Sequence, residues 1–171
     1  MKLHWISIFC LLLPVLSLAQ DKKKSNEAFN KGIQLFAQGK TKEALKAFDI
    51  SILADSTNFD AWIKRGFLRS MTGDFEGEMN DYNHVIAHAP DHVFAYISRG
   101  SAYNKLKEYA KGIEDFNTAI RLDPSNQEAY NNRGFARKGM GDTEGACEDW
   151  NKSKQLGNAE AKIILKNNHC K

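Results

Sequence analysis

The sequence predicts an all-α chain of stacked helix hairpins, and three observations carry that prediction. Gly32, Gly66, Gly100 and Gly134 recur every 34 residues. Phe48, Tyr82, Phe116 and Trp150 keep the same period, as do Ala28, Trp62, Tyr96 and Tyr130. Between them the apolar residues follow helical spacing, as in Trp62, Ile63, Gly66 and Phe67, then Tyr82, Val85 and Ile86, which place one face every three or four residues. A period of this length marks a repeat architecture whose units bury their apolar faces only by stacking.

The first 19 residues stand outside the period. Lys2, the apolar run Trp5 to Leu18 and the closing Ser17-Leu18-Ala19 have the layout of a cleaved secretory signal. About 14 apolar residues fall short of the roughly 20 that span a bilayer, and Pro14 interrupts them. Ser7-Ile8-Phe9 before Cys10 lacks the small residue expected ahead of a lipidated cysteine. The reading is therefore an exported, periplasmic or extracellular chain with no stable membrane insertion once the signal is removed. Residues 20–24, with Lys22 to Lys24, form a solvated basic leader.

Four units then start at Ser25, Phe59, Val93 and Gln127, covering 25–58, 59–92, 93–126 and 127–160. Gly39, Gly73 and Gly141 fall in the middle of three units, with Lys107 in the fourth slot. A glycine there stops the first helix, and Asp74 or Asp142 beside it caps the second. Pro90 and Pro124 end two second helices. After Gly157, residues 158–171 supply a capping helix, with Ala161, Ile164 and Leu165 facing the last hairpin and Glu160, Lys162 and Lys166 facing water.

Charge is close to balanced: 24 basic against 21 acidic residues give +3, too little and too dispersed to imply a nucleic-acid partner. Arg65, Arg99 and Arg133 occupy position 7 of their units, and Asp81, Asp115 and Asp149 occupy position 23. Pairing within each unit leaves none unmatched, which points to a structural ladder rather than a binding site. Position 20 is small in the first and fourth units (Ala44, Ala146) but is Glu78 in the second. An isolated buried carboxylate is costly, so an ion pair between Glu78 and Arg69 is expected, unless Glu78 bends out to water.

Cys147 and Cys170 remain once Cys10 is removed with the signal, an even pair in an exported chain. Gly157 lies between them, so antiparallel helices bring them to similar heights. A structural disulfide is the leading expectation; two free thiols or a redox pair are the alternatives. His84, His88 and His92 are spaced as a weak metal pair at most, and no metal or cofactor is expected. No nucleophile elbow, P-loop or dinucleotide motif is present, so the chain reads as non-enzymatic. Asn151-Lys152-Ser153 is a sequon inside an expected helix, and is read as unmodified.

An aromatic at position 4, Gly at 8, Gly at 15, Ala at 20, an aromatic at 24 and Pro at 32 together resemble the tetratricopeptide repeat, TPR. The resemblance covers Ser25 to about Glu160. It implies a right-handed α-solenoid of four hairpins whose first helices line a concave groove. By that resemblance the groove residues are Phe29, Ile33, Phe36, Ile63, Phe67, Met71, Phe94 and Ile97 toward one end. Toward the other they are Asn104, Lys105, Asn131, Asn132, Phe135 and Lys138. The resemblance thus implies a module binding a segment of a partner protein, apolar or amphipathic, in its groove. The alternative is a structural subunit of an envelope complex that works through its convex face and open end. The carboxylate clamp of chaperone-binding relatives is missing: its positions here are Phe29, Ile33, Lys64, Phe94 and Ser98.

Overall fold

The computed structural model describes the backbone of residues 6–170 and the side chains of residues 19–170. The signal reading of residues 1–19 therefore lies largely outside the described side chains, and Met1 to Trp5 lie outside the described residues altogether. Among the described residues every regular element is a helix: α1 (Ile6–Ala37), α2 (Thr41–Ala54), α3 (Phe59–Met71), α4 (Phe75–His88), α5 (Val93–Lys105), α6 (Tyr109–Leu122), α7 (Gln127–Gly139), α8 (Thr143–Gln155) and α9 (Ala159–Asn167). The fold class is all-α, of the α-solenoid kind. No helix among the described residues is long and apolar enough to cross a membrane. Two compact units divide the chain, Met1–Gly73 and Asp74–Lys171.

In the first unit α1 packs on α2 and α2 on α3. Phe48 is fully buried beside Ala44, Ile52, Ala61 and Leu68, with Phe29, Ile33 and Phe36 against them. A methyl group on Gly32 would lie 2.6 Å from the Phe48 ring, so the glycine is what admits the ring. Asn58 ties the three helices: its Oδ1 accepts from Ala61 N at the start of α3, and its Nδ2 donates to Ser25 Oγ and Ser51 Oγ. Residues 20–24 are exposed but helical, continuous with α1. No proline or glycine separates them from Ser25, and Lys23 lies 3.9 Å from Glu27 one turn on, a favourable helical spacing.

In the second unit α5 packs on α6, α6 on α7, α7 on α8 and α8 on α9. The glycine–ring contact recurs. A methyl on Gly100 would come within 2.8 Å of Phe116, and one on Gly134 within 2.5 Å of Trp150. Both rings are fully buried. Trp150 keeps its N–H satisfied by donating to Asn131 O at 3.2 Å. Asp74 and Asp142 cap α4 and α8 through Gly77 N and Gly145 N. Asn158 caps α9, whose Ala161 is buried and whose Leu165 is buried in one cluster with Ala146 and Trp150. Cys147 and Cys170 are joined in a disulfide with Cα atoms 5.5 Å apart.

Helix ends use one device throughout. Gly39, Gly73, Gly141 and Gly157 all have positive φ. After three of them the next amide reaches back five residues, as in Lys40 N to Leu35 O, Asp142 N to Arg137 O and Asn158 N to Ser153 O, the closure that favours glycine. Lys107 fills the same slot at φ 61° with Glu108 N bonded to Tyr103 O. A side chain there carries a left-handed penalty of about 1 kcal/mol.

Two substitutions test these ends. Lys107→Gly raises the stability of the chain by about 0.5–1 kcal/mol, a net gain after the added backbone entropy of glycine, readable as a shift in the urea midpoint. Cys170→Ser removes a closure across a sequence separation of 23 and lowers stability by about 3 kcal/mol. Its first symptom is proteolysis of α9 at protease levels that leave the unaltered chain intact.

Candidate functional site

The repeated arginines occupy the joints between hairpins. Arg99 Nε and Nη2 donate to the two oxygens of Asp115 at 2.9 and 2.7 Å, and Nη1 donates to Asn83 Oδ1 at 2.9 Å. Arg133 repeats the pattern with Asp149 at 2.9 and 2.6 Å and Asn117 at 2.7 Å. In the first unit Arg65 donates to Asp49 at 2.7 Å. Each guanidinium also lies over the aromatic three residues earlier, at 4.7 Å for Trp62, 5.9 Å for Tyr96 and 5.5 Å for Tyr130. In the second unit one planar fork thus holds the Asp of its own repeat and position 25 of the preceding one.

Pairing within the repeat is seen for Arg99 and Arg133, and the acceptors at position 25 were not foreseen. The signal was in the sequence: Asp49, Asn83 and Asn117 keep the 34-residue step. The ladder is also stronger than an exposed one. Asp115 and Asp149 side chains are 7% and 3% exposed, so the pairs are largely desolvated. The hydrogen bonds it donates to Asp115 hold the Arg99 guanidinium above its usual range.

Glu78 does not bend out to water: it is 2% exposed, and its carboxylate lies 3.6 Å from Lys105 Nζ. Burial, with Glu78 and Asp81 nearby, pushes the neighbouring Tyr82 hydroxyl up well beyond its ordinary range. His84 and His88 rings stack at 4.2 Å, and His92 caps α5 through Ala95 N, so each has a structural occupation. Ser153 of the sequon is buried and donates to Gln127 O at 2.8 Å.

The expected groove residues divide by exposure. In the first unit Phe67 and Met71 on α3 are 44% and 59% exposed, and Phe36 meets Phe67 edge-on at 6.0 Å. Phe29, Ile33, Phe36 and Ile63 are half-buried. In the second unit Phe94 and Phe135 are 57% and 45% exposed. Ile97 is placed differently: at 2% exposure it belongs to the core with Phe116, Ala119, Ala129 and Ala136, offering nothing to a ligand. Its position faces the partner helix because α5 packs on both α6 and α7.

Amides knit the exposed face of the second unit. Asn104 Nδ2 donates to Asn132 O at 3.0 Å, and Asn132 Nδ2 donates to Ser101 Oγ at 3.2 Å. Lys138 donates to Asn168 Oδ1, while Lys105 is taken up with Glu78. Asn104 Oδ1 is buried without a hydrogen bond. It lies where a methyl on Gly112 would stand 2.7 Å away, which explains a glycine at that repeat position. Asn131 is 7% exposed and its Oδ1 also lacks a partner.

A family profile for the TPR repeat matches residues 100–141. Over these residues the sequence is that of a TPR repeat. No curated protein sequence matches it significantly. Among solved structures, a thermophilic TPR protein from Thermus thermophilus is similar with a TM-score of 0.76 at 16% identity, over 85% of this chain and 81% of that one. MamA (residues 41 to the end) from Desulfovibrio magneticus RS-1 has a TM-score of 0.67 at 26% identity, over 79% and 76%. A tetratricopeptide repeat protein from Parabacteroides merdae ATCC 43184 has 0.69 at 18%, over 82% and 57%. In TPR terms, the fork described above joins successive repeats.

Breaking one fork leaves a buried carboxylate unpaired. Arg99→Ala is expected to cost about 3 kcal/mol, measured by urea unfolding, whereas Arg99→Met with Asp115→Leu recovers most of the loss because no charge is then stranded.

Proposed function

We propose that this TPR chain is a non-catalytic, exported module that holds a segment of a partner protein on the first helices of its repeats. The TPR fold is that of protein–protein interaction modules. The observation that carries the finer reading is the exposure of Phe67 and Met71 on α3 in the first unit. Large apolar side chains left in water beyond the needs of packing mark an interaction surface. In the second unit Phe94 and Phe135 play the same part beside the amide of Asn132, whose carbonyl and N–H groups suit an extended backbone. Export is supported by the signal-like run of residues 1–19 and by the disulfide, a bond that persists in oxidising compartments. The periplasm or an extracellular surface fits both.

A second reading, assembly into an envelope complex through the outer face, is favoured by Leu53 and Ile50 on α2, 87% and 49% exposed. Ile50 lines a pocket of about 540 Å³ with Ala28, Leu35 and Ala47, rimmed by lysine and glutamate.

Crosslinking capture from an envelope extract, read by mass spectrometry, separates the two. Phe67→Ala with Asn132→Ala is expected to remove the captured partner while the circular dichroism spectrum is kept. Capture that survives this pair but is lost in Leu53→Lys would overturn the groove reading in favour of assembly.

A further inference from the structure

In the first unit α2 packs on α3 and is fastened to it through two repeat positions. Trp62, at position 4, donates its indole N–H to Ser56 O at 3.0 Å, and Arg65, at position 7, donates to Asp49 on α2 at 2.7 Å. The second unit uses the same two positions. There the Tyr96 hydroxyl donates to Pro90 O, and Arg99 and Arg133 reach Asn83 on α4 and Asn117 on α6. The face of positions 4 and 7 on a first helix is thus a seat for another helix.

On α1 that face is built differently and stands open. Position 4 is Ala28, position 7 is Lys31, and Ala47 stands where later repeats set an aspartate against position 7. Two methyl groups in place of a ring and a carboxylate leave a hollow of about 540 Å³, floored by Ala28, Leu35, Ala47 and Ile50. Ile50 and Leu53 on α2 remain exposed, so the seat offers apolar surface to an occupant from outside.

Charge decides the occupant. The rim sets Lys24, Lys31 and Lys46 against Glu27 and Glu43, and Glu27 also has Lys23 at 3.9 Å. Residues 19–73 together carry ten basic side chains and six acidic ones. A second copy offering this same face would set lysine against lysine, and α9, with Glu160 against Lys162 and Lys166, is itself net basic. Like charges facing each other suppress a pairing, and opposite charges select it.

We infer that this face docks an amphipathic helix of a partner protein, acidic along its flanks and carrying one aromatic or other large apolar side chain. The helix lies on α1 as α2 lies on α3. Its large side chain fills the hollow over Ala28 and Ala47, and its carboxylates meet Lys31 and Lys46. The inference rests on the outer-face reading above and names the partner's chemistry; it uses a different side of α1 from Phe29, Ile33 and Phe36.

The test uses the ¹⁵N-labelled protein and a capped peptide of about 15 residues, made of alanine, leucine and glutamate with one tryptophan, its apolar residues at helical spacing. The peptide is expected to shift the backbone amides of Ala28, Lys31, Ala47 and Ile50 saturably, with an apparent Kd of about 0.1 mM. A peptide with lysine for every glutamate leaves them unmoved, and one with alanine for the tryptophan binds at least about tenfold more weakly. Lys31→Glu with Lys46→Glu, both exposed positions, reverses the preference, so that the lysine peptide binds instead. Ala28→Tyr installs the ring that later repeats carry and blocks the glutamate peptide. Both variants keep the circular dichroism spectrum. Equal binding of the two peptides, shifts confined to Phe67 and Met71 on α3, or a variant that binds the glutamate peptide as before each overturn the inference. So does self-association by sedimentation that Leu53→Lys abolishes, which makes a second copy the occupant. Envelope capture lost in Leu53→Lys with no peptide binding removes this inference and keeps the outer-face reading. Peptide binding with capture indifferent to Leu53→Lys removes that reading and keeps the docking face.

Discussion

The close approach of a glycine to an aromatic ring is the constraint on which the rest of this chain depends. At Gly32, Gly100 and Gly134 a single methyl group would lie 2.5–2.8 Å from Phe48, Phe116 and Trp150, inside any permitted carbon contact. The ring of one helix occupies the volume that a side chain of the other would need, and each ring is fully buried. Burying Phe or Trp is worth a few kcal/mol, which exceeds the roughly 1 kcal/mol that glycine costs inside a helix. The recurrence of glycine at Gly32, Gly100 and Gly134 is therefore the trace of one packing solution used three times.

The arginine fork builds on that spacing. With the hairpin closed, Arg99 reaches both oxygens of Asp115 and still has Nη1 free for Asn83 of the preceding repeat. Only a planar group with several donors serves three acceptors at once while stacking on Tyr96. In a repeat array stability is a sum of units and nearest-neighbour interfaces, and the fork is the polar part of that interface. The array's edges follow from the same rule. The first repeat differs, with Ala28 and Lys31 where the others have an aromatic and arginine. At the other edge α9 covers Trp150 and the disulfide holds it there.

What was legible in the sequence and what was not divides on whether an interaction repeats. Helices, caps, the arginine–aspartate pairs of Arg99 and Arg133 and the polar face of α9 all express the period or a local rule of chain geometry. The helical leader was not legible, because lysines are equally at home in a solvated coil and a helix. Nor was the burial of Ile97: its repeat position says groove, and only the packing of α5 on both α6 and α7 puts it in the core. Glu78 was recognised as anomalous, but Lys105, which lies against it, comes from the next repeat, and a one-off contact leaves no periodic mark. Asp49, Asn83 and Asn117 were in phase throughout and went unread because asparagine at a helix surface ordinarily signals nothing.

The exposed faces of the first helices owe their latitude to this economy. Core formation falls largely on small residues and buried rings, and cohesion between repeats on the fork, so several outward positions of the first helices stay exposed. That explains how α3 exposes Phe67 and Met71 while α7 exposes Phe135 beside a network of amides. Where such a position does acquire a polar residue sunk into the fold, as at Asn131, packing gives its Oδ1 no partner.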